Sequence, residues 1–231
     1  MAQRVVMSWS GGKDSALALH HLLGDPDVEV IGLLTTVTEE YERISMHGVR
    51  VELLRAQAAA IGLPVIEVWI PPGCTNEFYE GRMTGAYRHP LMLAAEAIAS
   101  GDIWLQNVRA YREQRIRGAG KEPLFPIWGR ASSELAEEFI AFGFRAVITC
   151  VDPEQADPGI CGNEFDRELL ASLPPEVDPC GENGEFHSFV YAGPYFTTAV
   201  PVARGELVER GGFFFRDLMI SEPTSMTSVG D

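Results

Sequence analysis

Short apolar runs alternate with amphipathic segments along the first third of the chain. Apolar residues fill Val5–Met7, Val28–Leu34 and Val65–Ile70, and polar, Gly or Pro residues bound each run, which is typical of buried parallel strands. Between these runs, apolar positions recur at helical spacing, first up to Leu23 and then from Val49 to Ile61. Since right-handed crossovers join successive parallel strands, this pattern predicts an α/β fold with a parallel sheet covered on both faces.

The middle of the chain follows the same pattern less regularly. Residues 75–100 are predicted to be mainly helical, and Ala97–Ile103 is predicted to form another strand. The glycine-containing segment Arg117–Lys121 has the composition of a linker. We therefore expect one domain over residues 1–121 and a second, smaller domain over residues 122–222.

The second half has alternating helix and strand signals of its own. A helix is predicted to begin near Ser132 and a strand to span Phe144–Val151, so we expect a separate α/β core. A β-hairpin is predicted next, with its turn at Arg204–Glu206 and the aromatic run Phe213–Phe215 in the core. Residues 223–231 are predicted to be a disordered tail.

A loop rich in glycine and hydroxyl groups follows the first apolar run. Its residues are Ser10, Gly11, Gly12, Lys13, Asp14 and Ser15. Paired glycines let the backbone approach an anion, and the first N–H groups of the following helix lack internal partners. Lys13 adds a positive charge, and Asp14 can bind Mg²⁺. The spacing fits neither the Walker nor the dinucleotide glycine pattern. The residues of the loop together predict an ATP site. The alternative is a glycine turn that happens to precede a helix.

Polar residues follow the other predicted strands. Because the carboxyl ends of parallel strands meet at one edge of a sheet, Thr35, Thr36, His47 and Gly48 are expected near the nucleotide, as is Gly101-Asp102. His47 either contacts phosphate or substrate, or only caps a helix. Gly101-Asp102 either presents a carboxylate to Mg²⁺ or a substrate amine, or forms an ordinary turn.

A second polar segment lies near residue 185. Two glycines bracket Glu182 and Asn183, and Glu185 and His187 lie two residues apart, so both can face the same side of a strand. Such a group offers a metal ligand, a general base or a recognition site for an amine. The alternative is a polar hairpin with an acidic tip.

Charge argues against a nucleic-acid partner. The 231 residues include 18 basic and 33 acidic side chains, which gives a net charge of −15, whereas nucleic-acid binding needs clustered Lys and Arg. One local cluster remains, formed by Arg109, Arg112, Arg115 and Arg117. It is either a basic patch or a solvated helix face.

Targeting signals and cysteine usage both favour a cytoplasmic protein. The apolar run near Met1 is too short for a signal peptide, and no stretch reaches the roughly 20 apolar residues of a membrane span. The four cysteines are widely spaced and form no C-x-x-C pair, so we expect reduced, buried thiols rather than a zinc site.

Six segments of the chain occur in the order found in the diphthine–ammonia ligase-like proteins, a branch of the N-type ATP pyrophosphatases that carry a PP-loop. The segments that carry this resemblance are the glycine loop, Ser45–Val49, Asn76–Glu80, Gly101–Ile103, Pro123–Arg130 and Gly181–His187. Phe186-His187-Ser188 resembles the bacterial-type members of the branch. The resemblance implies a Rossmann-like ATP-binding domain followed by a smaller α/β or α+β domain.

It also implies an AMP-forming ligase, in which ATP adenylates a carboxylate or carbonyl acceptor and ammonia displaces AMP. By this resemblance the glycine loop from Ser10 to Ser15 binds ATP, and Asp14 takes part in catalysis and holds Mg²⁺. The residues implied to face a small-molecule or protein-borne acceptor are Asp102, Glu182, Glu185 and His187.

Two other functions would use the same loop. A tRNA-base-modifying enzyme of the PP-loop superfamily would adenylate a base, although the charge and the absence of paired cysteines argue against it. A non-catalytic adenine-nucleotide-binding module would bind ATP without cleaving it. Both alternatives, and a homo-oligomeric assembly, stay open at this point.

Overall fold

The computed structural model describes residues 1–221, so the tail predicted over residues 223–231 lies outside the described part of the chain. The strands are β1 (Gln3–Ser8), β2 (Val28–Thr38), β3 (Arg43–Ile44), β4 (Val65–Ile70), β5 (Ala97–Ala99), β6 (Glu122–Leu124), β7 (Arg145–Val151), β8 (Phe186–Ala192), β9 (Val202–Arg210) and β10 (Phe213–Ile220). The α-helices are α1 (Lys13–Leu23), α2 (Val51–Ile61), α3 (Asn76–Ala86), α4 (Pro90–Ala94), α5 (Gln106–Gly118), α6 (Ser132–Ala141) and α7 (Arg167–Ser172).

The first sheet confirms the predicted parallel α/β fold. Its parallel strands lie in the order β4-β2-β1-β5-β6, and the short β3 pairs antiparallel with the end of β2. Val5, Val6 and Met7 of β1 are fully buried, as expected for a central strand covered on both faces. The chain leaves β1 toward β2 and later returns to its other side at β5. This reversal opens a crevice beyond the carboxyl end of β1.

Local signals set the ends of the first helices. The helix predicted to follow the glycine loop is α1, which Gly24 caps after Leu23. The next helix, α2, ends at Gly62, whose φ of 81° lies in the left-handed region that favours glycine. Both ends agree with the sequence pattern.

The second sheet is antiparallel, in the order β8-β7-β10-β9. The prediction of a separate core for this half is wrong, because one continuous cluster of buried side chains joins residues of both halves, such as Leu19, Val147 and Phe189. A smaller cluster, which includes Val6 and Ile98, lies on the other face of the first sheet. The two sheets therefore pack around a shared core.

The C-terminal hairpin turns later than predicted. Gly211 and Gly212 connect β9 and β10, and both have positive φ. The turn predicted at Arg204–Glu206 is wrong, because those residues lie within β9 while the glycine pair permits the tight turn. The aromatic residues of β10 are half-buried, and Phe215 packs against the backbone of Gly48.

The middle of the chain differs from the predicted pattern in three ways. The predicted strand Ala97–Ile103 is shorter, because only Ala97–Ala99 pairs with neighbours. The predicted linker begins as the last turn of α5, and β6 joins the first sheet beside β5. The domain division at residues 121 and 122 stays a prediction. Within residues 1–221, no helix combines the length and apolar character needed to span a membrane.

Candidate active site

The glycine loop between β1 and α1 directs the amino end of α1 at the crevice. Gly11 has φ of 77°, and Gly12 is an extended residue that begins the helix. The Gly12 N–H donates to Ser10 Oγ at 3.2 Å, and Ser15 Oγ donates to the Gly12 carbonyl at 2.9 Å. These bonds hold the loop open around the positive end of the helix dipole, which is a favourable place for phosphate.

A cavity of about 360 Å³, called the cleft below, lies beyond the carboxyl ends of β1, β2 and β5. The predicted site residues that line the cleft are Ser10, Lys13, Asp14, Ser15, Thr36, His47, Gly101, Asp102, Glu182 and His187. The structure therefore brings together groups that are distributed over most of the sequence.

Lys13 and Asp14 form an ion pair at the floor of the cleft. Lys13 Nζ lies 2.9 Å from Asp14 Oδ2, and Lys13 is only 4% exposed. Burial by itself would lower the pKa of Lys13, but the neighbouring acidic groups, Asp14 foremost, together outweigh burial and the pKa is raised. Burial raises the pKa of Asp14, while Lys13 opposes that change. Lys13 therefore keeps its charge next to the phosphate loop.

A loop from the second half of the chain closes over the cleft. Glu182 Oε1 accepts hydrogen bonds from the backbone N–H groups of Ile103, at 3.0 Å, and Trp104, at 3.2 Å. Burial raises the pKa of Glu182, and the Ile103 N–H acts against that change. Farther along the chain, in β8, Ser188 Oγ accepts from the Lys13 N–H at 3.2 Å. The second polar segment thus reaches both the glycine loop and the end of β5.

Two histidine rings lie against each other, in a tilted arrangement, at the side of the cleft. The ring centroids of His47 and His187 lie 4.6 Å apart, and His47 Nδ1 lies 3.2 Å from the Ser188 carbonyl oxygen. Since a carbonyl only accepts, this contact assigns a proton to Nδ1 and leaves Nε2 as an acceptor. Burial lowers the pKa of His47 to about 4 and that of His187 well below its usual value. Both imidazoles are therefore neutral near neutral pH.

The loop after β5 comes into direct backbone contact with α1. A Cβ at Gly101 would lie 2.8 Å from the carbonyl carbon and oxygen of Asp14, so only glycine fits there. Next to it, Arg112 Nε donates to Asp102 Oδ1 at 3.2 Å. Arg112 Nε also lies 2.9 Å from Asp102 Oδ2, but the N–H direction is not that of a hydrogen bond to this oxygen. Among the described residues, Asp102 Oδ2 and Ser100 Oγ are the buried side-chain atoms without a hydrogen-bond partner.

Four of the predicted nucleotide contacts, Gly11, Gly12, Thr35 and Gly48, are not among the residues that line the cleft. Thr35 is buried, and its hydroxyl donates to the Trp9 carbonyl at 2.8 Å, so it supports the end of β1 instead. Gly48 packs against the ring of Phe215, which leaves no space for a Cβ. Their neighbours Thr36 and His47 do line the cleft.

Glu185 also lies outside the cleft, which corrects the prediction that it faces the acceptor. It is 2% exposed, and its two oxygens accept hydrogen bonds from the N–H groups of Asp178 and Asn183 and from the Asn183 side-chain amide. The carboxylate is used to fold the loop that carries Glu182. The two-residue spacing predicts that Glu185 and His187 face the same side only if both lie in a strand. Glu185 precedes β8, so the spacing did not indicate its position.

Gln57 is a site residue that the sequence reasoning missed. It is completely buried, and its Oε1 accepts from the Trp9 indole N–H at 2.7 Å. Its Nε2 donates to the carbonyls of Gly11, at 3.0 Å, and Val190, at 2.5 Å. It therefore ties the glycine loop to β8. The available signal was its position, since Gln57 falls at helical spacing on the apolar stripe of α2.

The arginine cluster of the middle segment is a helix face on which each guanidinium pairs with a carboxylate. The pairs are Arg109 with Glu113, Arg117 with Glu113, Arg112 with Asp102, and Arg115 with Glu80. Tyr79, from α3, lines the cleft. This neutralisation removes the basic patch that nucleic-acid binding would need.

The carboxylates of the cleft fit a magnesium ion that arrives with ATP. Within residues 1–221, no group of three or more His, Cys, Asp or Glu side chains could hold a metal by itself. Mg²⁺ at nucleotide sites needs only one or two carboxylates, because phosphates and waters complete its shell. Asp14 and Asp102 both line the cleft, and Asp102 Oδ2 is buried without a donor.

Comparison with known proteins gives matches over both halves of the chain. The family models described as "Diphthamide synthase N-terminal domain" and "Diphthamide synthase C-terminal domain" match residues 3–122 and 131–216. A curated diphthine–ammonia ligase from Schizosaccharomyces pombe is 24% identical over 222 residues, which cover 87% of this chain and 36% of that protein. The chain thus spans about a third of the length of this relative.

A solved structure is similar to a lesser degree. It is described as a predicted subunit of tRNA methyltransferase from Methanocaldococcus jannaschii, with 14% identity and a TM-score of 0.41 over 83% of this chain and 98% of that one.

The two family models together include the glycine loop, the loop after β5 and the loop that carries Glu182. The chain therefore belongs to the diphthamide synthase family.

Proposed function

We propose that this protein is an ATP-dependent amide ligase that releases AMP and pyrophosphate. It would adenylate the carboxylate of an acceptor and then transfer the acyl group to ammonia. The observation that carries the proposal is one cleft in which the glycine loop at the amino end of α1 meets Glu182 and His187 from the other half of the chain. The named activity of the yeast relative supports the same reaction class.

The phosphates of ATP would lie at the glycine loop. The positive end of the α1 dipole and the charged ammonium of Lys13 suit the β and γ phosphates, which leave together as pyrophosphate. The acceptor carboxylate oxygen attacks the α-phosphorus, and the bond from that phosphorus to the bridging oxygen breaks. Donors fixed before the reaction stabilise the charge that develops on the leaving group.

The second step would take place on the side of the histidines. The ammonia nitrogen attacks the acyl carbon, the bond to the AMP oxygen breaks, and the proton that the nitrogen loses passes to the phosphate of the departing AMP. Neutral His187, whose ring lies against that of His47, can accept a hydrogen bond from the nucleophile without adding positive charge. Glu182 holds the loop after β5 against the cleft, which excludes water from the acyl adenylate.

Asp14 and Asp102 would hold Mg²⁺, which neutralises phosphate charge when it is bound. A tRNA acceptor is disfavoured, because the net charge is −15 and the arginines of α5 are paired with carboxylates. The acceptor is accordingly proposed to be a carboxylate on a small molecule or a protein side chain.

Product analysis tests the proposal directly. Purified protein is incubated with MgATP, ammonium and either whole or desalted cell extract, and nucleotides are separated by chromatography. We expect AMP and pyrophosphate with whole extract, and loss of both in Asp14→Asn. Asp27→Asn, at an exposed turn position, is the matched control and keeps full activity. Formation of ADP instead of AMP would contradict the proposed bond cleavage.

A further inference from the structure

A second cavity of about 640 Å³ opens beside the cleft, between α3, α5 and the carboxyl edge of the first sheet. We call it the side chamber. The residues that line both the cleft and the side chamber are Ser8, Leu34, Tyr79, Met83, Ser100 and Arg112. The two cavities therefore adjoin along a shared wall.

The helices around the side chamber are loosely packed. No residue of α3 is fully buried, and Ile116 is the single buried residue of α5. Tyr79 and Met83 touch the small apolar cluster on that face of the sheet, but the space between the helices remains open. A covering helix normally buries an apolar stripe, so this arrangement reserves volume for a ligand.

Three arginines line the side chamber, and one of them has no carboxylate partner among the described residues. Arg88, Arg112 and Arg115 face it together with a single carboxylate, Glu80. Arg115 pairs with Glu80, and Arg112 pairs with Asp102 from the cleft. Arg88 makes no ion pair within residues 1–221. In a chain of net charge −15, this cluster favours an anion, and the phosphates of ATP belong at α1 instead.

Three tyrosines contribute to the wall of the side chamber. Tyr79, Tyr87 and Tyr111 line the side chamber, and burial is the main cause that raises the pKa of each phenol, so all three stay neutral donors. Ser100 is 2% exposed, and its hydroxyl lacks a hydrogen-bond partner although it lines both cavities. Flat apolar surfaces with convergent hydroxyl groups suit an aromatic body.

We propose that the side chamber binds the acceptor, as a small aromatic carboxylate whose ring lies among the tyrosines and whose carboxylate is held by the arginines. Arg112 and Ser100 stand at the opening into the cleft, so a carboxylate held there faces the α-phosphate. The assignment of the bound anion as the acceptor rests on the proposed function. The claim that the side chamber binds an aromatic anion does not depend on the proposed function.

Ligand-observed saturation-transfer NMR on the full chain tests this claim with benzoate as the probe. Benzylamine, which has the same ring and the opposite charge, is the comparison compound. Each is titrated with and without saturating AMP. The test variant R88Q/R115Q removes two arginines that line the side chamber. The control R82Q/R117Q removes one arginine of α3 and one of α5, neither of which lines the side chamber. Both variants change the net charge by the same amount.

We expect benzoate to bind the wild-type chain with and without AMP, and more tightly than benzylamine. Its affinity should fall about tenfold in R88Q/R115Q and stay unchanged in R82Q/R117Q. Absent binding, equal losses in the two variants, a preference for benzylamine, or displacement by AMP would each overturn the proposal. Benzoate binding as expected in a protein that never forms AMP would refute the proposed function and leave the anion site standing.

Discussion

Replacing Gln57 with leucine tests how strongly the two halves depend on one buried amide. The change keeps the approximate volume and removes the amide hydrogen bonds. The Trp9 indole N–H loses its acceptor and the Val190 carbonyl loses a donor, while the Gly11 carbonyl still accepts from the Val190 N–H at 2.9 Å. Two buried groups without partners cost about 1–3 kcal/mol each, so Gln57→Leu should lower the free energy of unfolding by about 2–6 kcal/mol.

Urea unfolding of the full chain measures this loss, and Gln106→Leu, at the exposed start of α5, is the matched control. Because Gln57 fixes the Gly11 carbonyl, the KM for ATP should also rise under conditions where the variant is folded. A change of less than about 0.5 kcal/mol, which is usual for surface substitutions, would refute the reasoning.

Three further predictions concern the site and its supports. Gly101→Ala should destabilise the chain by about 1–3 kcal/mol and reduce AMP formation, because the new methyl group would meet the backbone of Asp14 at 2.8 Å. Because the pKa of His47 is lowered to about 4 by burial, its neutral form contributes stability that is present above about pH 6.5 and is lost as the pH falls toward 4. Urea titrations over this range should show that loss, and His47→Gln should reduce it. Asp217→Asn should cost about 1–2 kcal/mol in the same assay, because Asp217 accepts two hydrogen bonds from Arg50 and connects β10 to α2.

Each of these predictions has its own control. Gly118→Ala adds a methyl group where no atom lies within 4 Å, so it should be neutral, and equal losses at Gly101 and Gly118 would contradict the steric argument. An unchanged pH profile in His47→Gln would show that other groups dominate the acid limb. Asp27→Asn is exposed and should leave stability unchanged, so an equal effect there would refute the assigned role of Asp217.

The first sheet and the glycine loop could be predicted because their signals are local. The apolar runs of β1, β2 and β4, and the glycines that end α1 and α2, lie within short windows of sequence. Gly101 and Asp102 were located correctly next to the loop, since the carboxyl ends of parallel strands meet at one edge.

Other parts depend on contacts between distant residues, which a single sequence does not display. The hairpin of β9 and β10 packs against β7, and its turn followed the glycine pair rather than the charged segment Arg204–Glu206. Gln57 acts on groups 46 and 133 residues away in the chain. Glu185 has the residue type of a catalytic acid, but its local hydrogen bonds give it a structural role.

The contact between Lys13 and Ser188 has a consequence for the timing of synthesis. The two residues are 175 positions apart, so the glycine loop leaves the ribosome long before the strand that completes it. At about 5–20 residues per second, the delay is roughly 9–35 seconds. During that interval the nascent chain exposes an unfinished phosphate loop that lacks its partner hydroxyl. The loop is therefore completed only after β8 has been synthesised, and a chain truncated before β8 lacks the partner of Lys13.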